Sequence, residues 1–122
     1  MMTPNPQLLD HFDNPRGAGS FGETEGVRRG QAGSEHHGAV IRIELRCDGA
    51  TVADARFKAW GCPATIACAS LVAEWVRGRT LADARAVDVR NLADPLQLPI
   101  DRLYAPLLVE DALRAAATEE QR

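Results

Sequence analysis

Aromatic residues make up only 5 % of this 122-residue chain, and the formal net charge is −3 with no basic run. A nucleic-acid surface needs cations for phosphates and rings for bases, so no nucleic-acid partner is expected. No apolar run approaches the ~20 residues that cross a bilayer, so no membrane partner is expected either. Met1-Met2-Thr3-Pro4-Asn5-Pro6 lacks a charged segment followed by an apolar one, so no secretory leader is read there, and the expected compartment is a reducing cytoplasm. Cysteine is scarce: Cys47, Cys62 and Cys68 are too few and too irregular for a disulfide framework. On one helix, Cys62 and Cys68 would sit ~9 Å apart, beyond the ~7 Å that a disulfide can bridge. There is no CxxC, which removes the zinc-ribbon reading. There is no HExxH and no evident general base, so a hydrolytic zinc enzyme built on His36, His37 and Cys62 is the weakest functional reading, and the chain is read as not an enzyme.

What remains is enough for one core, and the whole of 1–122 is read as a single domain. Its organising stretch is Phe57–Leu71. Ala55, Phe57 and Ala59 alternate with Arg56 and Lys58, as on a half-buried strand. Gly61 relieves a turn, and Pro63 suits a first helical position, which has no intrahelical amide bond to lose. Cys62 therefore stands at a helix N-terminus, where free N–H groups and the positive end of the dipole favour a thiolate.

Around it the chain reads in order. Asn5-Pro6 caps a short helix with Leu8, Leu9 and Phe12 on its apolar face, ended by Asn14-Pro15. Gly17–Gly38 is glycine-rich and predicts a long loop or a weak strand region. Val40–Cys47 is an amphipathic strand, with Ile41, Ile43, Leu45 and Cys47 on one face and Arg42, Glu44 and Arg46 on the other. A three-residue loop, Asp48-Gly49-Ala50, would pair Leu45 with Ala53 and Ile43 with Ala55, keeping apolar faces together. The helix after Cys62 buries Cys68, Leu71, Val72, Trp75 and Val76 and closes at Arg77-Gly78. Thr80 with Asp83, then Asp88, open two short helices, the second running to Ala93. A last helix from about Ala105 buries Ala105, Leu108, Val109, Ala112 and Ala116. The fold class is α+β: a small antiparallel sheet of about three strands with helices packed on one face.

The residues able to carry chemistry are few. Cys62 is the first, as a thiolate ligand or nucleophile. Cys47 and Cys68 fall on apolar faces and read as small buried hydrophobes. Glu35-His36-His37 offers carboxylate and imidazole, good ligands for iron or zinc, in the loop before the Val40 strand. The first strand of a hairpin begins where the second ends, so His37 and Cys62 are expected at the same end of the sheet. Tyr104, before the last helix, can reach that end with a phenolic oxygen, although an interface or core role is the commoner one for tyrosine. His11 reads as a surface or satisfied structural histidine, and Trp60 and Trp75 as packing residues.

Taken together, these segments resemble the NifU/IscU-type iron–sulfur cluster assembly scaffolds, a SufE/NifU-like fold, over nearly the whole length. The resemblance lies in Leu9–Arg16 with Gly19-Ser20-Phe21, in Ala53–Cys62, in Ala69–Gly78 and in Leu108–Leu113. It implies a metal or nascent cluster held by three cysteines with help from an aspartate and a histidine. The second of those cysteines falls on Cys62. The first falls on His37, the aspartate on Ala39, and the histidine–cysteine pair on Tyr104-Ala105. The family's Leu-Pro-Pro-Val-Lys chaperone-recognition run appears as Leu98-Pro99-Ile100-Asp101-Arg102, altered in its last three positions.

The implied cargo is iron or a [2Fe–2S] cluster, with Cys62 and His37 as its principal ligands. Histidine can replace some cluster thiolates, and fewer anionic ligands raise the potential. A homodimer would bring two thiolates and two or more imidazoles across an interface. Alternatively Cys62 and His37 hold a single zinc or iron ion with Glu35, His36, Tyr104 or water. If the family aspartate helps release the cluster, Ala39 favours holding over delivery. The implied partners are a cysteine desulfurase and other assembly proteins. The alternative role is a cluster-incompetent regulator that binds those same partners.

Overall fold

The computed structural model describes residues 5–22 and 25–118, the side chain of His37 excepted. Three strands, β1 (Val27–Ser34), β2 (Ala39–Asp48) and β3 (Thr51–Trp60), form an antiparallel sheet in the order β1-β2-β3. The helices are α1 (Pro6–Asp13), α2 (Pro63–Val76), α3 (Leu81–Ala86), α4 (Val89–Leu92) and α5 (Tyr104–Thr118). Helix α2 lies on β3, α5 lies across β1 and β2, α1 packs on α2, and α3 and α4 pack on α5.

The alternation in β2 and β3 decides which face the helices cover. Ile41, Ile43, Leu45, Val52, Ala55 and Phe57 all point inward and are buried. They meet Ala67, Cys68, Val72 and Val76 of α2 and Val109, Ala112, Leu113 and Ala116 of α5. Truncating Ile41 or Leu45 to alanine would cost about 2–5 kcal/mol, because a close-packed core relaxes only partly around a cavity. So many of the inward positions are alanine that backbones approach closely. At Gly30 an added Cβ would run into the backbone of Ala112 and Ala116, so α5 rides directly on β1 there.

The hairpin differs from the sequence expectation. The turn is Gly49-Ala50, with Asp48 opposite Thr51, and a bulge lies between Arg46 and Cys47. Leu45 therefore faces Ala55 and Ile43 faces Phe57, two positions from the expected pairing. A two-residue turn alone would mix the faces; the bulge adds one residue and restores their parity.

The glycine-rich region is more ordered than expected. Segment 17–19 runs along β3, with the Gly19 N–H donating to the Phe57 carbonyl and the Phe57 N–H to that of Gly17, both at 2.8 Å. Beyond it come β1 and a 3-10 turn, Glu35–His37. Glu44, expected on the solvated side of β2, is only 1 % exposed. Segment 20–21 folds over it: Ser20 Oγ donates to Glu44 Oε2 at 2.8 Å and the Phe21 N–H donates to Oε1 at 2.9 Å. Arg42 Nε stands 3.3 Å from the same carboxylate. Burial raises the Glu44 carboxyl, but these donors and the Arg29 and Arg42 guanidiniums outweigh it and hold it below the usual range.

The helix caps follow the sequence. The Asn5 side chain accepts from the N–H groups of Gln7 and Leu8, Thr80 and Asp83 form a reciprocal capping box, and Asp88 caps α4. Helix α4 stops at Leu92, one residue before the expected Ala93, and α5 starts at Tyr104, one residue before Ala105. Helix α5 also buries Leu113 and Ala117, whereas Leu108 is only partly buried. His11 is buried, its Nδ1 2.8 Å from Ser70 Oγ, which also accepts the Arg16 N–H. It is the satisfied structural histidine. Trp75 is half-buried beneath the Arg79 guanidinium, 4.3 Å from its ring centre. Trp60 does not pack inward: it ends β3 on the outer face and is 66 % exposed.

Candidate functional site

The chain leaves β3 at Trp60, turns at Gly61 with φ of +150°, and enters α2 with Cys62 as the N-cap residue. The turn is tight. A Cβ on Gly61 would lie 3.0 Å from Thr65 Oγ1 and 3.3 Å from the Ala39 Cβ, so glycine is the residue that fits. The same closeness places the first residue of β2 against the Cys62 turn. His37, two residues before Ala39, has its backbone in the 3-10 turn leading into β2. The strand entrance and the helix mouth are thus neighbours in space.

Cys62 Sγ is ringed by polar donors. Tyr104 Oη lies 3.1 Å away and Thr65 Oγ1 3.5 Å away. Burial raises the thiol, but the Tyr104 and Thr65 hydroxyls and the first N–H groups of α2, those of Thr65 and Ala64, together bring it below its ordinary value. Tyr104 moves the other way: the shared hydrogen bond with Cys62, burial and the charge of the thiolate all raise its phenol. Of the two groups, the sulfur therefore gives up its proton first. The site presents a partly exposed, soft sulfur ligand whose ionisation is favoured, with a phenol beside it.

The other sequence-derived candidates divide. Tyr104 is drawn to Cys62 although 42 residues separate them. Glu35 and His36 are exposed on the turn before β2, and Glu35 lines a depression with Val40, Arg42 and Trp60 on the outer face of the sheet. The His37 side chain, the intended second ligand, lies outside the described residues. Among the described residues no group of three or more His, Cys, Asp or Glu side chains is close enough to hold a metal ion. Ala39 and Ala105 are both buried at the site, methyl groups where a carboxylate and a thiol were sought. Thr65 was missed by the sequence reading; its signal is a hydroxyl at the third position after the capping cysteine. Cys68 is fully buried, its thiol pushed up to about 12 by desolvation and then by the nearby Cys62 charge, and Cys47 is raised by burial as well.

The family model described as the NifU-like N terminal domain matches residues 4–121. The chain is 38 % identical over 120 residues to the iron-sulfur cluster assembly scaffold protein IscU of Escherichia coli (strain K12), covering 97 % of this chain and 94 % of the relative. It is 35 % identical to iron-sulfur cluster assembly protein 1 of Arabidopsis thaliana, covering 98 % of this chain and 73 % of the relative. Among solved structures, the N-terminal part of a nitrogen-fixing NifU-like protein from Brucella abortus superposes with a TM-score of 0.72 at 20 % identity, covering 92 % of this chain and 90 % of that one. The structural match carries the fold, and the sequence matches carry the family: this chain belongs to the NifU N-terminal-domain family that includes the IscU scaffold proteins.

Proposed function

We propose that this protein works in iron–sulfur cluster assembly as a scaffold-type member that takes iron or a nascent [2Fe–2S] species as cargo. Cys62 is the primary thiolate, receiving sulfur or metal, and His37 supplies the second ligand from the entrance of β2. The observation that carries this reading is the Cys62 sulfur: its ionisation favoured by two hydroxyls and a helix mouth, partly exposed, in a chain whose relatives are named as assembly scaffolds. A soft thiolate suits iron and sulfide, and imidazole is an accepted replacement for thiolate in such clusters. One protomer offers a single well-placed thiolate, so a homodimer sharing the cargo fits the donor set better than a monomer. Zinc on Cys62 and His37, completed by Glu35, His36, Tyr104 or water, is the mononuclear alternative. A cysteine desulfurase is the partner whose chemistry supplies sulfur to such a site, and a reducing cytoplasm is the compartment that keeps the thiol available.

Anaerobic reconstitution with ferrous iron and sulfide tests the proposal. Iron above background and a sulfur-to-iron charge-transfer band are expected in the parent protein, and both should fall in Cys62→Ser and His37→Ala. No iron and no band, with Cys62→Ser indistinguishable from the parent, would leave the second reading. That reading is a regulator that binds the desulfurase without carrying cluster, and it is favoured by Ala105 and Ala39 occupying buried positions with no ligating atom. Binding to a desulfurase with a change in its turnover would then be the expected result.

A further inference from the structure

A cavity of ≈ 250 Å³ lies between α4, the segment 93–103 and the start of α5. The chain makes it by reversing sharply. Asp94 opens a 3-10 turn that ends at Gln97, a residue with a side chain in the left-handed region, at φ of +51°. Two bonds hold it there. The Gln97 N–H donates to the Asp94 carbonyl at 3.0 Å, and Asn5 Nδ2 donates to Gln97 Oε1 at 3.0 Å. Asn5 is also the cap of α1, so the reversal is tied to a second helix. Backbone held in this region against its preference clusters at sites where its shape is used. Cys62 and Tyr104 are not among the residues that line the cavity.

The lining has an apolar part and a charged part. Leu98 and Leu103 are half-buried and Pro106 is buried, and together they make an aliphatic wall. Arg90 and Asp94 stand exposed at the rim. Neither side chain has an ion pair or hydrogen bond among the described residues, with each other or with any third group. The neighbouring Asp101 and Arg102 behave differently, pairing at 3.2 Å. One cation and one anion are therefore unspent at the mouth of a single small cavity. The volume lies below the ~300–1,000 Å³ of drug-sized sites and suits a small molecule.

We propose that this cavity is a binding site for a free α-amino acid with an aliphatic side chain, its carboxylate on the Arg90 guanidinium, its ammonium on the Asp94 carboxylate and its side chain on Leu98, Leu103 and Pro106. A simple anion would be opposed by Asp94 and a simple cation by Arg90. A wholly apolar molecule would leave both charges facing it and unpaired. A zwitterion satisfies the two together, and guanidinium binds a carboxylate through two parallel bonds. Occupancy also bears on the sulfur. Leu103 and Pro106 bracket Tyr104 in sequence, and Tyr104 Oη is the group 3.1 Å from Cys62 Sγ. A ligand that fixes the wall of the cavity fixes the start of α5, and with it the phenol. The proposal does not depend on what Cys62 holds.

Calorimetry of the full, metal-free chain with L-leucine and L-valine tests it. Saturable binding of one equivalent is expected, with Kd of ~0.1–1 mM for so small a ligand. Leucinamide lacks the carboxylate and isocaproate lacks the ammonium, so each should bind at least about fivefold more weakly than L-leucine. L-leucine should lose as much on Arg90→Gln and on Asp94→Asn, with melting curves showing that both variants fold. Saturating L-leucine should also change the rate at which iodoacetamide modifies Cys62 by at least about twofold in the parent, and leave it unchanged in Arg90→Gln. No saturable binding of either amino acid, equal binding of leucinamide or isocaproate, or parent affinity in both variants would overturn the proposal. A Cys62 rate unmoved by bound L-leucine would overturn the coupling to Tyr104.

Discussion

The cap and the interior of one helix shift the same functional group in opposite directions. Cys62 caps α2; Cys68 lies less than two turns further along the same helix. At the cap, hydroxyls from Tyr104 and Thr65 and the N–H groups of Thr65 and Ala64 act on the sulfur, and the thiol is lowered. Inside, the walls are side chains of the apolar core, and the thiol is pushed up to about 12. The residue type is identical, so reactivity here is set by which groups line the sulfur and by access to solvent.

The largest expected effect is kinetic. In the folded, metal-free protein at neutral pH, iodoacetamide should modify Cys62 at least about a thousandfold faster than Cys68, because the thiolate is the nucleophile and a thiol near 12 supplies almost none. Mass spectrometry of timed digests reads the ratio. Comparable rates at the two sulfurs would erase the distinction between cap and interior.

The next effect is on stability at alkaline pH. The folded state keeps the Cys68 proton up to about 12, whereas the ordinary value for a free thiol is 9.0. Between those values the unfolded chain has released a proton that the folded chain retains. The contribution of Cys68 is therefore intact below pH 9 and is lost as pH rises towards 12, by about 4 kcal/mol in all at ~1.36 kcal/mol per unit. Urea unfolding at successive pH values should show the parent losing more stability over that window than Cys68→Ala, by about that amount. Cys62 has the opposite sign: its lowered thiol contributes above the unfolded value, and that contribution fades as pH falls through the folded one. Parallel pH profiles for the parent and Cys68→Ala would mean that Cys68 titrates as though it were exposed.

How much of this contrast was legible in the sequence depends on the range of each contact. The Gly61-Cys62-Pro63 turn could be read because every feature of it is local: a strand that stops, a residue tolerating positive φ and a proline at the first helical position. The inward faces of β2 and β3 could be read for the same reason, since alternation is a local signal. The hairpin register could not, because the bulge between Arg46 and Cys47 is chosen by packing across the sheet, where the shift of one residue keeps Ile43 and Leu45 inward. Glu44 looked solvated because its cover, Ser20 and Phe21, comes from 23 to 24 residues away. Tyr104 could be assigned to the right end of the molecule, but its use of the phenol as a donor to sulfur depends on a 42-residue separation closing to 3.1 Å. Trp60 went the other way: an aromatic at the end of a strand reads as packing, and only the absence of a helix on the outer face among the described residues leaves it bare.

The smallest effect sharpens the contrast most, because it alters the cap without touching the interior. Tyr104→Phe removes one hydroxyl at 3.1 Å from sulfur and leaves the ring. A hydrogen bond to a charged group contributes ~1.5–3 kcal/mol when shielded; the tyrosine is 44 % exposed, so screening favours the lower end. Alkylation of Cys62 near neutral pH should slow by about tenfold as the thiolate population falls, while Cys68 and its alkaline stability profile stay unchanged. Thr65→Val, which removes the longer 3.5 Å contact, should slow it less. If Tyr104→Phe left the rate untouched and Thr65→Val did too, the N–H groups of the first turn of α2 would account for the lowered thiol by themselves. If Tyr104→Phe accelerated the reaction, the phenol would be shielding the sulfur from reagent more than it stabilises the anion.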